Sequence, residues 1–311
     1  MVAAASFLPV RGGTAEGFAI LTRAAIAVLF FLHGAKLSRA AVVAGLTHWR
    51  LHLTVLAATF VLFPILGLIA WRLPPVVLPS TLAAGVLFLC CLPSTVQSSI
   101  AFTSIARGNV AAAVCAASAS NLVGIFLTPV LSGLLLETRG VGLSLTNLWE
   151  VVLQLLAPFV AGQLARPLVL GWMKRHERVV GLVDRGSILL VVYGAFSAAV
   201  VQGIWRQVSL LQILVLTAVC MAILGVVLLT TAVASRALGL PKADEIAVVF
   251  CGSKKSLASG VPMAAILFPT ASVGAFLLPL MIFHQVQLMA CAFIARRYAT
   301  RSLERPLAQE A

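Results

Sequence analysis

Long apolar stretches, separated by short polar segments, run along almost the whole chain. Most are about 20 residues long, the length of α-helix that crosses the ~30 Å hydrocarbon core of a bilayer. The pattern predicts nine membrane-crossing helices, at residues 18–35, 51–71, 76–106, 109–135, 147–166, 186–203, 209–236, 244–268 and 271–296. We therefore expect an all-α polytopic membrane protein.

The stretch 76–106 is too long for a simple span and contains Pro93 in its middle. It could be two helices, which would raise the number of crossings to ten. Its second half is short and polar for an independent span, however, so we favour one long helix that is broken near the proline.

The composition agrees with a membrane protein, since 61% of the residues are hydrophobic, 10% are charged and the mean hydropathy is +1.08. The net charge of +13 does not indicate nucleic-acid binding, because the basic residues lie in short loops and at the C-terminal end. With nine helices, five basic residues fall on one face and fifteen on the other. The positive-inside rule places the richer face, with the C-terminal tail, in the cytoplasm.

Two of the predicted helices carry similar polar interruptions, at Cys90–Ser99 and at Cys251–Gly260. Four helices separate them, which fits two repeats of opposite orientation whose broken helices meet near the midplane. We accordingly divide the chain into a short N-terminal segment (1–17), a first repeat (18–135), a second repeat (136–296) and a basic tail (297–311). Backbone groups freed by such breaks are tolerated at membrane depth where they line a cavity or bind something.

The second interruption contains two adjacent lysines, Lys254 and Lys255. A lysine at the centre of a membrane helix costs at least ~2.5–3.5 kcal/mol, so each needs a partner, a cavity or a cargo. The half-helix that we expect to begin at Lys255 or Ser256 directs a positive dipole end into the break. Together these features favour an anionic cargo.

The polar residues of the two interruptions are the candidate site, at Ser94–Ser99 and Lys254–Ser259. Burial and a like-charged neighbour both disfavour the charged form of a lysine, so one of the pair could exchange a proton. Alternatively both remain charged and neutralise the cargo, or one lysine snorkels to a polar cavity while the other satisfies freed carbonyls. The substrate-binding or ion-binding residues that we predict from the interruptions are Ser94, Thr95, Gln97, Ser98, Ser99, Ser253, Lys254, Lys255 and Ser256.

The sequence contains no HExxH, GxSxG or glycine-rich phosphate-binding motif, which argues against an enzyme and against an ATP-driven pump. Its six cysteines form no CxxC pair and fall within apolar segments, so they predict packing residues and no zinc centre. We expect no cofactor beyond a coupling ion, H+ or Na+.

Four motifs together resemble the bile acid:sodium symporter family, in the branch similar to the seventh member of the human solute carrier 10 family. They are FFLHGAKLS (30–38), the segment from CCLPS to ARGN (90–109), SNLVGIFLTP (120–129) and FCGSKKSLASG (250–260). The resemblance covers residues 18–296 and implies ten helices in two inverted repeats, with a panel domain and a core domain. On that template 18–35 corresponds to the second helix, so residues 1–17 would be the remnant of a first helix.

The resemblance also locates the positions of the family's sodium ligands, and several of them have lost their oxygen atoms here. Sodium, like other hard cations, prefers a cage of oxygen ligands with negative charge. Ser98 and Ser99 remain as possible sodium ligands, but a glutamate position is Phe250. The other carried-over positions are Thr59 for a glutamine, Ala113 and Ala117 for two hydroxyls, and Lys254 and Lys255 for a Gln–Asn pair.

We therefore expect a secondary transporter of a small organic anion that works by alternating access in a bacterial inner membrane. Transport that is independent of sodium or linked to protons is favoured, with one ammonium group where relatives bind a cation. Two alternatives remain: a sodium-coupled organic-anion symporter with a displaced sodium site, and a non-transporting membrane regulator or scaffold. The expected partners are the lipid bilayer and the anion, and the sequence leaves the oligomeric state open.

Overall fold

A computed structural model describes residues 5, 7–10, 14–36, 48–137, 145–201, 209–268 and 270–307. The described chain is helical and contains no strand. The helices are α1 (Thr14–Lys36), α2 (Trp49–Ala57), a π-helical turn (Ala58–Leu62), α3 (Phe63–Trp71), α4 (Ser80–Cys91), α5 (Val96–Ile105), α6 (Val110–Glu137), α7 (Leu145–Arg175), α8 (Glu177–Val201), α9 (Leu210–Ala237), α10 (Lys242–Gly252), α11 (Leu257–Leu267) and α12 (Thr270–Leu307).

Among the described residues, seven helical segments are long and apolar enough to cross a membrane, or eight if a bent pair is one span. Their outer surfaces are apolar as well: only 28% of the most apolar part of α9 is buried within the protein. Such surface needs lipid rather than water around it. The prediction of an all-α polytopic membrane protein is confirmed, and the predicted span 244–268 corresponds to α10 and α11.

Both predicted interruptions are real breaks in the helices. The first separates α4 from α5, which are bent by 65° relative to each other. Pro93 supplies no backbone N–H and restricts the residue before it, which explains why α4 ends here. The second break separates α10 from α11, and Ser256 caps α11 by accepting a hydrogen bond from the Ser259 N–H group at 3.1 Å.

The helices α1, α7 and α8 pack against one another, and we call them the panel helices. Helices α1 and α7 approach so closely that their backbones touch. A Cβ atom added to Gly34 would lie 2.0 Å from the Phe159 carbonyl oxygen, and one added to Gly162 would lie 2.0 Å from the Phe31 carbonyl oxygen. Small residues at a membrane helix crossing permit this contact.

The two broken helices lie among the remaining helices. Helix α4 packs on α3, α6 and α12, while α5 packs on α6 and α10. The breaks therefore meet in the interior, facing the panel helices. The last helix continues to Leu307, past the predicted end at residue 296. The inverted symmetry of the repeats and the domain boundaries stay predictions.

Candidate functional site

Every carbonyl oxygen from Cys90 to Ser94, at the first break, accepts a hydrogen bond from outside its own helix. Buried backbone groups that lack a partner are costly, which makes this complete pairing necessary. Cys91 accepts from the Thr128 hydroxyl at 2.8 Å, and Pro93 accepts from the Ser256 N–H group at 2.9 Å. Cys90 and Leu92 accept from the Lys255 ammonium group, and Ser94 accepts from the Asn121 amide.

The Lys255 side chain is fully buried, and its ammonium group is held by three backbone carbonyls. Its Nζ atom donates to Thr59, Cys90 and Leu92 at 2.9, 2.9 and 2.6 Å. The same atom lies 4.0 Å from the centre of the Phe63 ring, at cation–π distance. Three accepting carbonyls match the three donors of a charged ammonium. The C-terminal end of α4 carries the negative end of the helix dipole, which stabilises a positive charge there.

The Thr59 carbonyl is available because of the π-helical turn before Phe63. The Phe63 N–H group bonds to the Ala58 carbonyl, one residue further back than in an α-helix. In that register the next donor would be Pro64, which has no N–H group. The Thr59 carbonyl thus loses its helical partner, and Lys255 replaces it.

Lys254 is equally buried but is held differently. Its Nζ atom donates to the Ser98 carbonyl at 2.8 Å. It lies 4.0 Å from the centre of the Phe102 ring and 5.2 Å from that of Phe250. Within the described residues this ammonium therefore has one carbonyl and two aromatic faces, where Lys255 has three carbonyls.

Side chains of the first break in turn supply hydrogen-bond donors to backbone carbonyls of the second break. The hydroxyls of Ser94, Thr95 and Ser99 donate to the carbonyls of Cys251, Lys255 and Phe250, respectively. Gln287 of α12 pairs with both backbone groups of Lys255, at 2.9 and 3.0 Å. The two breaks consequently form one hydrogen-bonded unit, which fixes where α5 and α11 begin.

A cavity of about 350 Å³, which we call the first cavity, lies between this unit and the panel helices. The N-terminal ends of α5 and α11 both open onto it, through Thr95–Gln97 and Ser256–Ser259. On the panel side it is lined by His33, Lys36 and Arg185. Helix N-termini and cations on opposite walls make this an environment that suits an anion.

Asn121 joins the two breaks at the wall of the first cavity. Its amide nitrogen donates to the Ser94 carbonyl at 2.7 Å, and its amide oxygen accepts from the Ser259 hydroxyl at 2.8 Å. The polar groups at this wall are consequently oriented by a fixed network, and Ser256 also donates to Ser259 at 3.1 Å.

The predicted site residues divide into three sets. Thr95, Gln97 and Ser256 line the first cavity. Lys254, Lys255, Ser94 and Ser99 are buried in the contact between the breaks and do not line it. The hydroxyls of Ser253 and Thr59 donate to carbonyls of their own helices, those of Val249 and Val55. The Ser98 hydroxyl has no hydrogen-bond partner among the described residues.

The cavity residues of the panel helices and Asn121 carry no sequence signal of a binding site. Lys36 and Arg185 lie just outside the predicted helices 18–35 and 186–203, where basic residues commonly face the cytoplasm without a special role. Asn121 lies in a run of small residues that is typical of close helix packing. Only their contacts across the fold distinguish them. No cluster of three or more His, Cys, Asp or Glu residues suited to a metal ion occurs in the described ranges.

A charged cluster anchors the start of α10, at the beginning of the predicted span 244–268. Glu245 is 3% exposed and accepts from Lys242 at 2.7 Å, from Arg236 at 3.1 Å and from Tyr298 at 3.2 Å. Two cationic side chains, Arg236 and Lys242, thus pair with this buried carboxylate. The turn before α6 docks beside it, with the Asn109 amide 2.7 Å from Asp244.

Comparison with known proteins accords with this architecture. The SBF-like CPA transporter family matches residues 1–300. An uncharacterized Pseudomonas aeruginosa protein, PA2026, is 58% identical over 96% of this chain and 90% of its own length. An Escherichia coli protein named "Putative symporter YfeH" is 55% identical over 100% of this chain and 93% of its own. The rat sodium/bile acid cotransporter 7 is 28% identical over 90% of this chain and 83% of its own. The chain therefore belongs to the SBF-like CPA transporter family, which is of the bile acid:sodium symporter type that its motifs resemble.

Proposed function

We propose that this protein is a secondary transporter that moves a small organic anion across a bacterial inner membrane by alternating access, with its C-terminus in the cytoplasm. The observation that carries the proposal is the position of the first cavity, which has the panel helices on one side and both helix breaks on the other. Relative movement of these two walls changes access to a ligand held between them without unfolding either wall.

An anion is the favoured cargo because each wall offers it positive potential. The break side presents two helix N-termini, and the panel side presents Lys36 and Arg185. A volume of about 350 Å³ lies near the lower end of the ~300–1,000 Å³ range of ligand sites, which favours a small cargo. Apolar residues such as Phe30 and Phe159 line the same cavity, so the anion carries an apolar part.

Transport does not need sodium in this proposal, because Lys255 supplies a tethered cation. Its three carbonyl partners include Thr59, the position at which the family resemblance locates a sodium ligand. A sodium ion in the same carbonyl cage would have to displace a covalently attached ammonium group. Lys254 is the better candidate for proton exchange, since losing one proton costs it fewer hydrogen bonds than it costs Lys255.

The test is charge movement by the purified protein on a solid-supported membrane, with a panel of organic anions in sodium, in choline and across a pH series. We expect currents that persist in choline and vary with pH. The Arg185→Gln variant should lose most of the current, while Arg178→Gln, which removes an exposed charge from the same helix away from the cavity, should keep it. In Lys254→Met we expect anion binding to persist and the pH dependence to disappear.

Three results would contradict this proposal. Currents that require sodium would indicate a sodium-coupled symporter with a displaced sodium site. A current that keeps its pH dependence in Lys254→Met would remove the role given to that lysine. Absence of both current and binding from folded protein, for every anion, would favour a membrane regulator or scaffold.

A further inference from the structure

A second cavity, of about 640 Å³, lies along the same panel helices but nearer their other ends. Along α1 it occupies the stretch from Phe18 to Ala27, whereas the first cavity begins at Phe30. Along α8 it begins at Val191, whereas the first cavity ends at Ile188. The two cavities therefore share helices but no residue, and the second is not part of the candidate transport site.

The wall of the second cavity contains a buried hydroxyl group without a partner. Ser197 is 1% exposed, and its Oγ atom has no hydrogen bond within the described residues. Thr22, which lines the same cavity, donates to the Phe18 carbonyl of its own helix at 2.8 Å. A serine in a helix can ordinarily donate to a carbonyl one turn back in the same helix, as Thr22 does. An unpaired buried hydroxyl in a cavity wall therefore indicates a ligand that supplies its partner.

Arg23 and Gln154 also line this cavity, and both are partly open to its outside. Within the described part of the chain, no hydrogen bond or ion pair involves Arg23. An arginine inside a membrane span is costly and ordinarily has a partner in a cavity or in the bundle. Its planar set of five donors fits the paired oxygens of a carboxylate or phosphate.

The rest of the wall is mostly apolar and includes Ile26, Val191, Ile266 and Val273. A ligand that matches this arrangement has an anionic oxygen head for Arg23 and Ser197 and an apolar body for the remaining wall. We propose that the second cavity is a binding site for an amphipathic anion, separate from the first cavity. The anion comes either from solution, as a free carboxylate, or from the bilayer, as an anionic phospholipid.

Photochemical labelling of the full-length protein tests this site without depending on transport. The probes are a dodecanoate with a diazirine near the end of its chain, a phosphatidylglycerol with the same group on one acyl chain, and the matching diazirine dodecanol. Peptide mass spectrometry locates the adducts. We expect the anionic probes to label residues 18–27 of α1 and 191–198 of α8, and the uncharged alcohol to label them far less.

Variants of the polar wall identify what binds the head. Arg23→Gln should lower labelling by about tenfold, the size expected for losing a hydrogen bond to a charged group. Arg23→Lys should retain most of it, and Arg72→Gln, an arginine outside the cavity, should retain all. Ser197→Ala should lower labelling about threefold without lowering the melting temperature, because the empty protein loses an unpaired hydroxyl.

The outcomes separate the two sources of the anion. Labelling by dodecanoate that excess unlabelled dodecanoate suppresses supports a solute site, and labelling by the phospholipid probe alone supports a lipid site. Equal labelling by dodecanol, or full labelling of folded Arg23→Gln, would overturn the proposal. Because labelling reports binding at the second cavity and current reports transport through the first, the two proposals are tested separately. Either one can fail while the other is confirmed.

Discussion

The ammonium nitrogen of Lys255 lies 2.9 Å from the carbonyl oxygen of Thr59, a residue 196 positions earlier in the chain. The contact joins the second helix break to a π-helical turn in a helix that has no break of its own. One lysine thereby satisfies carbonyls from two separate helices, and among the described residues backbone dipoles compensate its charge with no carboxylate in contact. We infer that Lys255 is first a structural cation, on which the geometry of the candidate site depends.

The Lys255→Met variant should be destabilised by about 3 kcal/mol or more, because three buried carbonyls lose their donor at once. Lys254→Met should cost less, since one carbonyl is affected. Thermal unfolding of the purified variants in detergent measures both, with Lys174→Met as a control at an exposed lysine. Equal melting temperatures for Lys255→Met and the control would show that the carbonyl cage does not hold the fold together.

A second prediction isolates the contact with Thr59. Replacing Pro64 by alanine restores a backbone N–H group that can bond to the Thr59 carbonyl within the π-helical register. In the Pro64→Ala/Lys255→Met double variant, the decrease in the free energy of unfolding should therefore be smaller than the sum of the decreases in the two single variants. The difference should be about 0.5–1.5 kcal/mol. Unfolding measurements on the four members of this cycle give the coupling, and strict additivity would exclude the proposed exchange of donors.

The crossing of α1 and α7 provides a third test. A leucine at Gly162 would place its Cβ atom on the Phe31 carbonyl and force the helices apart, which should cost about 1–3 kcal/mol or more. The matched control is Gly171→Leu, in the same helix at a position where nothing lies within 4 Å of an added Cβ atom. The variants differ only in this contact, so similar melting temperatures would contradict the close approach.

Hydropathy predicted the helices and Pro93 predicted the first break, because both signals are local. The lysine pair likewise indicated a special site, since its cost in a membrane does not depend on the fold. Which acceptors Lys255 uses could not be predicted: they belong to Thr59, Cys90 and Leu92, whose side chains give no sign of a free carbonyl. The role of Asn121 depends in the same way on contacts 27 and 138 residues away.

Asn121 offers a test of the first cavity itself. Asn121→Asp keeps the size of the side chain but adds negative charge at the wall where the anion is proposed to bind and removes the donor to Ser94. Anion-evoked current should fall at least tenfold, through repulsion and a lost hydrogen bond. Gln212→Glu is the control, since it also replaces an amide by a carboxylate, lies outside the cavity, and keeps the oxygen that accepts from the Ser209 N–H group. Undiminished current in folded Asn121→Asp would place the anion elsewhere.

The cluster around Glu245 gives a prediction for pH. Arg236 and Lys242 pair with the ionised Glu245 carboxylate, so these ion pairs stabilise the fold at neutral pH and are lost when low pH protonates the carboxylate. Glu245→Gln should therefore melt at a lower temperature than the unmodified protein at pH 7, and the difference should shrink below about pH 4.5. Glu177→Gln, at an exposed carboxylate that begins α8, is the control at each pH. A difference that stays constant down to pH 3 would mean that the Glu245 side chain contributes through packing and not through its charge.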